Sequence, residues 1–107
     1  MKVYLISSEL NNHTLYKIGI TKRAVTDRLK ELKTGNAATL NIVNVFESQW
    51  ASKIESNLHK RYKNISGEWF DLTEDELNNF LNVCNMVHNN FELLSKNNTW
   101  IIDKKIL

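Results

Sequence analysis

Apolar residues follow two different spacings in the first third of the chain. The segments Val3 to Ile6 and Leu15 to Ile20 are rich in β-branched and aromatic residues, and the polar stretch Ser7 to Thr14 lies between them. This pattern predicts an antiparallel hairpin. From Ala24 to about Leu32 the apolar residues fall on one helix face, which predicts a short amphipathic helix that ends before Gly35-Asn36.

The next part of the chain predicts one more strand and two more helices. Leu40 to Phe46 alternates apolar residues with asparagine, as a strand does. An apolar stripe predicts a second helix from about Gln49 to Tyr62. Thr73 and Glu76 form a capping box that opens a third helix, which we expect to end near His88 to Asn90. This order of elements predicts an α+β fold.

The chain contains no repeat, low-complexity tract or linker, and its 107 residues suit one domain. We expect a single domain over residues 1–107, with a core of about residues 2–92 and a C-terminal tail of residues 93–107. In the tail, Trp100-Ile101-Ile102 fits either a late strand or an edge that binds a protein partner. The sequence leaves both alternatives open.

Composition is that of a globular protein, with 42% hydrophobic and 24% charged residues. The net charge of +2 is too small to indicate a polyanionic partner by itself. Basic residues nevertheless cluster on and before the first predicted helix, where six of them outnumber two acidic residues. Such a cluster can steer a polyanion, although charge alone favours a solvated helix face. The basic residues are Lys17, Lys22, Arg23, Arg28, Lys30 and Lys33.

Cysteine content and hydropathy bear on location. Cys84 is the only cysteine, so no internal disulfide can form, and its apolar neighbours at helical spacing predict a buried small side chain. The apolar run from Val3 to Ile6 is too short for a signal peptide, and no stretch approaches bilayer length. We therefore expect a cytoplasmic protein that does not enter the membrane.

Four residues of the predicted elements could act on a phosphate. Tyr4 and Lys17 lie on the two hairpin strands, and a cation beside a phenol favours the phenolate, so Tyr4 could serve as a base. Two residues alone, however, fit a packed tyrosine and a solvated lysine better. Arg28 lies at a helix edge, where a guanidinium can stabilise a phosphate that gains charge. Glu55 precedes His59 by one helical turn, and one carboxylate can suffice for magnesium. A solvated helix face is the alternative for that pair, and zinc is disfavoured because no further ligand has the required spacing.

Five separated segments carry further information about function. In order they are Val3-Tyr4, Lys17-Ile18-Gly19-Ile20-Thr21, Arg28-Leu29, Glu55 with Leu58-His59, and Gly67-Glu68-Trp69-Phe70. Together they resemble the GIY-YIG nuclease family, and they look most like the branch, frequent in phages and mobile elements, that has KIG in place of YIG. The resemblance covers about residues 2–72.

This resemblance implies a small fold around a central three-stranded antiparallel sheet flanked by helices. It also implies hydrolysis of DNA phosphodiester bonds with one divalent ion, Mg²⁺ or Mn²⁺. By position, Tyr4 matches the tyrosine beside the attacking water, Lys17 the second motif tyrosine, Arg28 the phosphate-stabilising arginine and Glu55 the metal ligand. These four residues should line one cleft. As substrate contacts we add Lys22, Arg23, His59 and Lys33.

The sequence departs from the family pattern at three positions. Lys2 stands in place of the first glycine, Lys17 in place of a tyrosine, and Leu32 where many members have a histidine. The family's late asparagine has no clear counterpart. The resemblance leads us to expect a metal-dependent DNA endonuclease. Because of the departures, two alternatives stay open: a catalytically weak or inactive nucleic-acid-binding module, and a small protein-interaction domain. Nothing in the sequence indicates a specific protein partner or a homo-oligomer.

Overall fold

The computed structural model describes residues 1–97. It contains five strands and three helices in the order β1 (Lys2–Leu10), β2 (His13–Thr21), α1 (Val25–Lys33), β3 (Thr39–Glu47), α2 (Ala51–Arg61), β4 (Lys63–Ser66), β5 (Trp69–Asp71) and α3 (Glu74–Asn97). The α+β class is confirmed. The segment Trp100-Ile101-Ile102 lies outside the described residues, so both alternatives for it stay predictions.

The hairpin of β1 and β2 is longer than the pattern predicted. Only Asn11 and Asn12 separate the strands, and both have positive φ, 52° and 65°. Two consecutive residues with positive φ form the tight turn whose twist suits a hairpin, and asparagine tolerates this conformation better than most residues. We assigned Ser7 to Thr14 to the turn because it is polar. Most of it instead continues the two strands, paired from Ser7↔Tyr16 to Leu10↔His13, at an end where Glu9 and His13 are exposed.

The sheet has five antiparallel strands in the order β3-β1-β2-β5-β4 rather than the three that the resemblance implied. The additional strands β4 and β5 are short, and Gly67, with φ of 56°, lies between them. All four residues of β4 are exposed. An exposed strand shows no alternation of apolar and polar residues, which explains why the pattern did not reveal it.

Both faces of the sheet are covered, because successive side chains of a strand point to opposite sides. On one face, Val3, Leu5 and Ile18 belong to a core that includes buried residues of α2 and α3: Ile54, Leu58, Phe80, Cys84 and Val87. On the other face, a smaller core under α1 consists of Tyr4, Ile6, Val25 and Leu40. Cys84 is fully buried, as predicted.

Helix α3 begins where the capping box predicted and ends later than expected. The Glu76 backbone N–H donates to Thr73 Oγ1 at 3.2 Å, and the Thr73 N–H donates to Glu76 Oε1 at 2.9 Å. The helix then continues to Asn97, past His88 to Asn90, where we expected its end. Phe91 stacks on Trp50 at 5.6 Å between ring centroids, so tertiary packing carries the helix through asparagines that have only moderate helix propensity. Across residues 1–97, every helix is too short or too polar to cross a bilayer.

Candidate functional site

Tyr4, Gly19 and Arg28 form the first part of the candidate site. Tyr4 lies opposite Gly19 in the hairpin, and its side chain is almost fully buried, at 1% exposure. A Cβ atom on Gly19 would overlap the hydroxyl end of the Tyr4 ring, so the ring lies directly over the glycine. Arg28 of α1 donates its Nε–H to Tyr4 Oη at 3.2 Å. The phenol oxygen is therefore fixed against a cation.

Arg28 also belongs to a charged group on the surface of α1. Its Nη1 donates to Glu31 Oε2 at 3.0 Å, and Arg23 Nη2 bonds to the other oxygen of the same carboxylate. The bonds from Arg23 and Arg28 lower the pKa of Glu31. The bond to Tyr4, followed by the bond to Glu31, raises the pKa of Arg28. Glu31 is therefore ionised at neutral pH and holds two guanidinium groups together.

Lys17 is buried at 7% exposure, which is unusual for a lysine. The β1–β2 register places it opposite Ile6, on the same sheet face as Tyr4. Its ammonium lies 2.6 Å from Glu68 Oε2 and 5.5 Å from the centre of the Trp69 ring. The cation in contact with Tyr4 is thus Arg28, and the partner of Lys17 is a carboxylate of the segment that precedes β5.

Glu55 and His59 lie one turn apart on the flank of α2. Glu55 is partly buried, and within residues 1–97 its carboxylate makes no hydrogen bond or ion pair. Burial raises the pKa of Glu55 and the charge of Glu68 adds to this, while His59 and Lys17 act in the opposite direction. His59 donates its Nε2–H to the Ile18 carbonyl at 2.9 Å, and its ring packs on Phe70 at 4.8 Å.

The two parts of the site meet at an edge of β2. Strand β5 pairs with β2 at Tyr16 and Lys17 only. At the next residue, the Ile18 N–H donates to the Glu68 carbonyl at 3.2 Å, and the Ile18 carbonyl accepts from His59. Groups from both sheet faces therefore approach the Lys17-Ile18-Gly19 segment.

The sequence itself matches the T5orf172 domain family over residues 1–91. The chain belongs to this family. T5orf172 domains are phage-associated and have a nuclease-like fold related to that of GIY-YIG proteins. The search of curated proteins and the search of solved structures gave no match.

In this T5orf172 domain the contacts of the four predicted catalytic residues fall into two groups, and that all four line one cleft stays a prediction. Tyr4 is bonded to Arg28, and Glu55 lies in the electrostatic field of Lys17. Within the described residues, no hydrogen bond or ion pair joins the first group to the second. A hollow of about 470 Å³ lies elsewhere, lined by residues that include Ser7, Tyr16 and Leu77.

The four predicted substrate contacts lie in different surroundings. Lys22 is exposed in the connection to α1, and Arg23 is bonded to Glu31. His59 is partly buried and fixed to β2. Lys33 is exposed in the last turn of α1, about 140° around the helix from Arg28. Lys33 therefore faces away from the Arg28 side, and the substrate roles of all four residues stay predictions.

Sequence reasoning gave no role to Glu31 and only an uncertain one to the segment that contains Glu68. Glu31 follows Arg28 by three residues, a spacing at which helical charges pair, so this contact could have been found. Glu68 is 51 residues from Lys17, and no local signal connects them. Only the folded chain reveals that the Lys17 charge is matched.

Proposed function

We propose that this T5orf172 domain is a divalent-metal-dependent endonuclease that hydrolyses DNA phosphodiester bonds. The observation that carries the proposal is Glu55, a partly buried carboxylate with no protein partner within residues 1–97 and a raised pKa. Leaving such a group unpaired costs stability, and perturbed carboxyls of this kind are concentrated at functional sites. The family match and the Tyr4–Arg28 bond support the same conclusion.

The chemistry of Glu55 fits a magnesium or manganese ion. Magnesium prefers oxygen ligands and commonly takes only one or two carboxylates, with water and substrate phosphate completing its shell. Residues 1–97 contain no cluster of three or more His, Cys, Asp or Glu side chains that could hold a metal ion. Magnesium does not require such a cluster. Glu55 would hold the ion, which would supply positive charge to the phosphate.

Tyr4 and Arg28 would act on the phosphate from the hairpin side. In its deprotonated form, Tyr4 Oη, held in place by the Arg28 N–H that donates to it, would take a proton from the attacking water and become a phenol. The water oxygen would bond to phosphorus while the P–O bond to the leaving sugar oxygen breaks, and that oxygen would take a proton from solvent. Arg28 has further N–H groups that make no hydrogen bond within residues 1–97, and these would offset charge that develops on the phosphate. Because uncatalysed phosphate-ester hydrolysis is among the slowest known reactions, the proposed mechanism relies on both the Tyr4 base and the Arg28 charge.

The remaining predicted residues would serve binding and support. His59 would keep the β2 edge in place through its bond to the Ile18 carbonyl. Lys22 and Arg23 would contact the DNA backbone next to Arg28, and Lys33 would contribute only to long-range attraction. A cytoplasmic location is part of the same proposal.

One observation favours a second function, a nucleic-acid-binding module that does not cut. The Lys17 ammonium is buried and bonded to Glu68, so it is not free to act on a substrate without breaking that bond. A domain with this arrangement could retain its basic surface and lose catalysis. The protein-interaction alternative rests on the tail around Trp100, which lies outside the described residues.

The test is an assay of purified protein on plasmid, linear and branched DNA, with magnesium, manganese or chelator. We expect metal-dependent cleavage by the wild type and by Glu9→Gln, a control at an exposed carboxylate at the turn end of the β1–β2 hairpin. Glu55→Ala and Glu55→Gln should fold and fail to cut. Salt-sensitive binding to intact DNA in every metal condition would favour the binding module instead. Cleavage by Glu55→Gln at the wild-type rate would refute the metal-ligand role.

Stability measurements provide a second readout for Glu55. A carboxyl whose pKa is raised by folding is disfavoured in its charged form, so stability increases as pH falls through the folded pKa toward the lower unfolded value, and the full penalty is present at neutral pH. The neutral amide of Glu55→Gln removes this penalty. We expect this variant to unfold at the same or a higher urea concentration than the wild type at neutral pH, and Glu9→Gln to show no such gain. A clear loss of stability in Glu55→Gln would instead indicate a structural role.

A further inference from the structure

Two arginines from different parts of the chain converge on one carboxylate. Arg23 lies in the connection between β2 and α1, and Arg28 lies within α1. Each donates to a different oxygen of Glu31, Arg28 at 3.0 Å. A carboxylate that is shared by two guanidinium groups occupies the position where a phosphate would find the same donors, since both anions suit the planar arginine fork.

Contacts besides those to Glu31 hold the Arg28 guanidinium and the backbone of Arg23 in place. Arg28 is anchored by its Nε–H bond to Tyr4 Oη, and the Arg23 backbone N–H donates to Thr21 Oγ1 at 3.1 Å. The Arg23 side chain is 58% exposed and the Glu31 side chain 42% exposed. The shared anion therefore lies at the surface, where a phosphodiester can reach it without entry into the core.

We infer that Glu31 occupies, in the free protein, the place of a DNA backbone phosphate, and that DNA binds by displacing Glu31 from Arg23 and Arg28. The inference rests on the DNA-binding part of the proposed function and does not depend on cleavage. It assigns to this surface one phosphodiester, held by two arginines, which through Arg28 is the phosphate that the proposed function places next to Tyr4.

The exchange is energetically accessible. Exposed ion pairs contribute little to stability because water and salt screen them, so the Glu31 bonds can be broken. DNA offers the same two arginines a dense line of charges and releases counterions when it binds. Glu31 then acts as a competing anion, and its neutralisation should strengthen DNA binding.

The experiment measures binding of a fluorescent DNA duplex by anisotropy, in chelator to prevent cleavage and at about 100 mM salt. The matched control is Asp27→Asn, which removes the same charge from the same helix face one turn before Glu31. We expect Glu31→Gln to bind DNA roughly three- to tenfold more tightly than the wild type. Asp27→Asn should change affinity by less than about twofold.

A double-mutant cycle distinguishes displacement from general charge effects. Arg23→Gln should weaken DNA binding more strongly in the Glu31→Gln background than in the wild type. The reason is that in the wild-type protein without DNA, Glu31 already neutralises part of the Arg23 charge. Weaker binding by Glu31→Gln would show that Glu31 orients the arginines and would overturn the inference. Equal gains in Glu31→Gln and Asp27→Asn would reduce the effect to net charge and would also overturn it.

A second probe separates this inference from the proposed function. Inorganic phosphate is titrated against the arginine side-chain N–H resonances of wild type and Glu31→Gln in NMR spectra. If no variant binds DNA but phosphate shifts the Arg23 and Arg28 signals more strongly in Glu31→Gln, the anion site at the two arginines stands, DNA is not its ligand, and the proposed function falls. If Glu31→Gln changes the binding of neither DNA nor phosphate, the inference is wrong whether or not the wild type cuts DNA.

Discussion

Gly19 lies under the Tyr4 ring, and this contact explains why an interior strand position carries a residue that weakens strands. The order of separated segments, which resembles that of the GIY-YIG family, predicted catalytic roles for Tyr4 and Arg28. It did not predict that the two are bonded, because their contact depends on how α1 packs on the sheet. Lys17 shows the same limit, since its partner Glu68 is 51 residues away.

Substitution of Gly19 by alanine should therefore affect both stability and the site. The added methyl group overlaps the Tyr4 ring, which is buried and bonded to Arg28, so the ring must shift. We expect Gly19→Ala to lower the free energy of unfolding by about 1–3 kcal/mol and to reduce the proposed cleavage activity. Urea denaturation measures the loss. The control is Gly35→Asn, where open space and a φ of 71° suit asparagine. A Gly19→Ala protein as stable and active as the control would contradict the packing account.

The helices and strands that were predicted best are those whose sequence signals, such as a capping box or an amphipathic spacing, involve residues close together in the chain. The α3 start depended on Thr73 and Glu76 alone, and the amphipathic spacing of α1 and α2 placed both helices to within two residues at each end. Strands β4 and β5 were missed because they are short, and because β5 is a strand only through its neighbours β2 and β4. The end of α3 was wrong for a similar reason, since its last turns depend on packing against Trp50.

The capping box makes a prediction about α3. Thr73→Ala removes the hydroxyl that accepts the Glu76 N–H and should destabilise the protein by about 1 kcal/mol. Thr73→Ser keeps the hydroxyl and should cost much less. Glu76→Gln keeps an acceptor for the Thr73 N–H and should also be tolerated. Urea midpoints of the three variants measure the order. Equal losses for alanine and serine would show that the threonine methyl group, rather than the cap, is responsible.

At the scale of the whole molecule, α2 and α3 are joined through a core that contains two unused titratable groups. Burial raises the pKa of Tyr62 from 10.0 to about 12 and the pKa of Cys84 from 9.0 to about 12. The Tyr62 ring stacks on Phe80 at 6.3 Å, and its hydroxyl is buried without a hydrogen-bond partner among residues 1–97. Both groups favour the neutral form in the folded protein.

Stability should consequently fall in alkali. A group whose pKa is raised by folding stabilises the protein fully below its unfolded value, and the stabilisation is lost as pH rises toward the folded value. We expect the free energy of unfolding to decrease between about pH 9 and pH 12, by up to about 1.4 kcal/mol per pH unit for each group. Urea titrations across this range measure the slope.

The variant Tyr62→Phe tests the assignment. It should reduce the alkaline slope above about pH 10, because one of the two titrating groups is gone. At neutral pH it should equal the wild type or exceed it by about 1 kcal/mol, since an unpaired buried hydroxyl is removed. An unchanged slope would show that Tyr62 does not contribute.

The amino-acid sequence by itself determined the hairpin, the three helix starts and the buried Cys84, and it supplied the residues proposed for the candidate site. These features depend on spacings within one or two turns, or on separated segments whose order can be compared with a known family. Tertiary structure alone decided the five-stranded sheet, the pairing of Lys17 with Glu68 and the position of Tyr4 between Gly19 and Arg28. The physical reason is that strand pairing and the neutralisation of buried charge join residues far apart in the chain, and only the packed fold selects one partner for each.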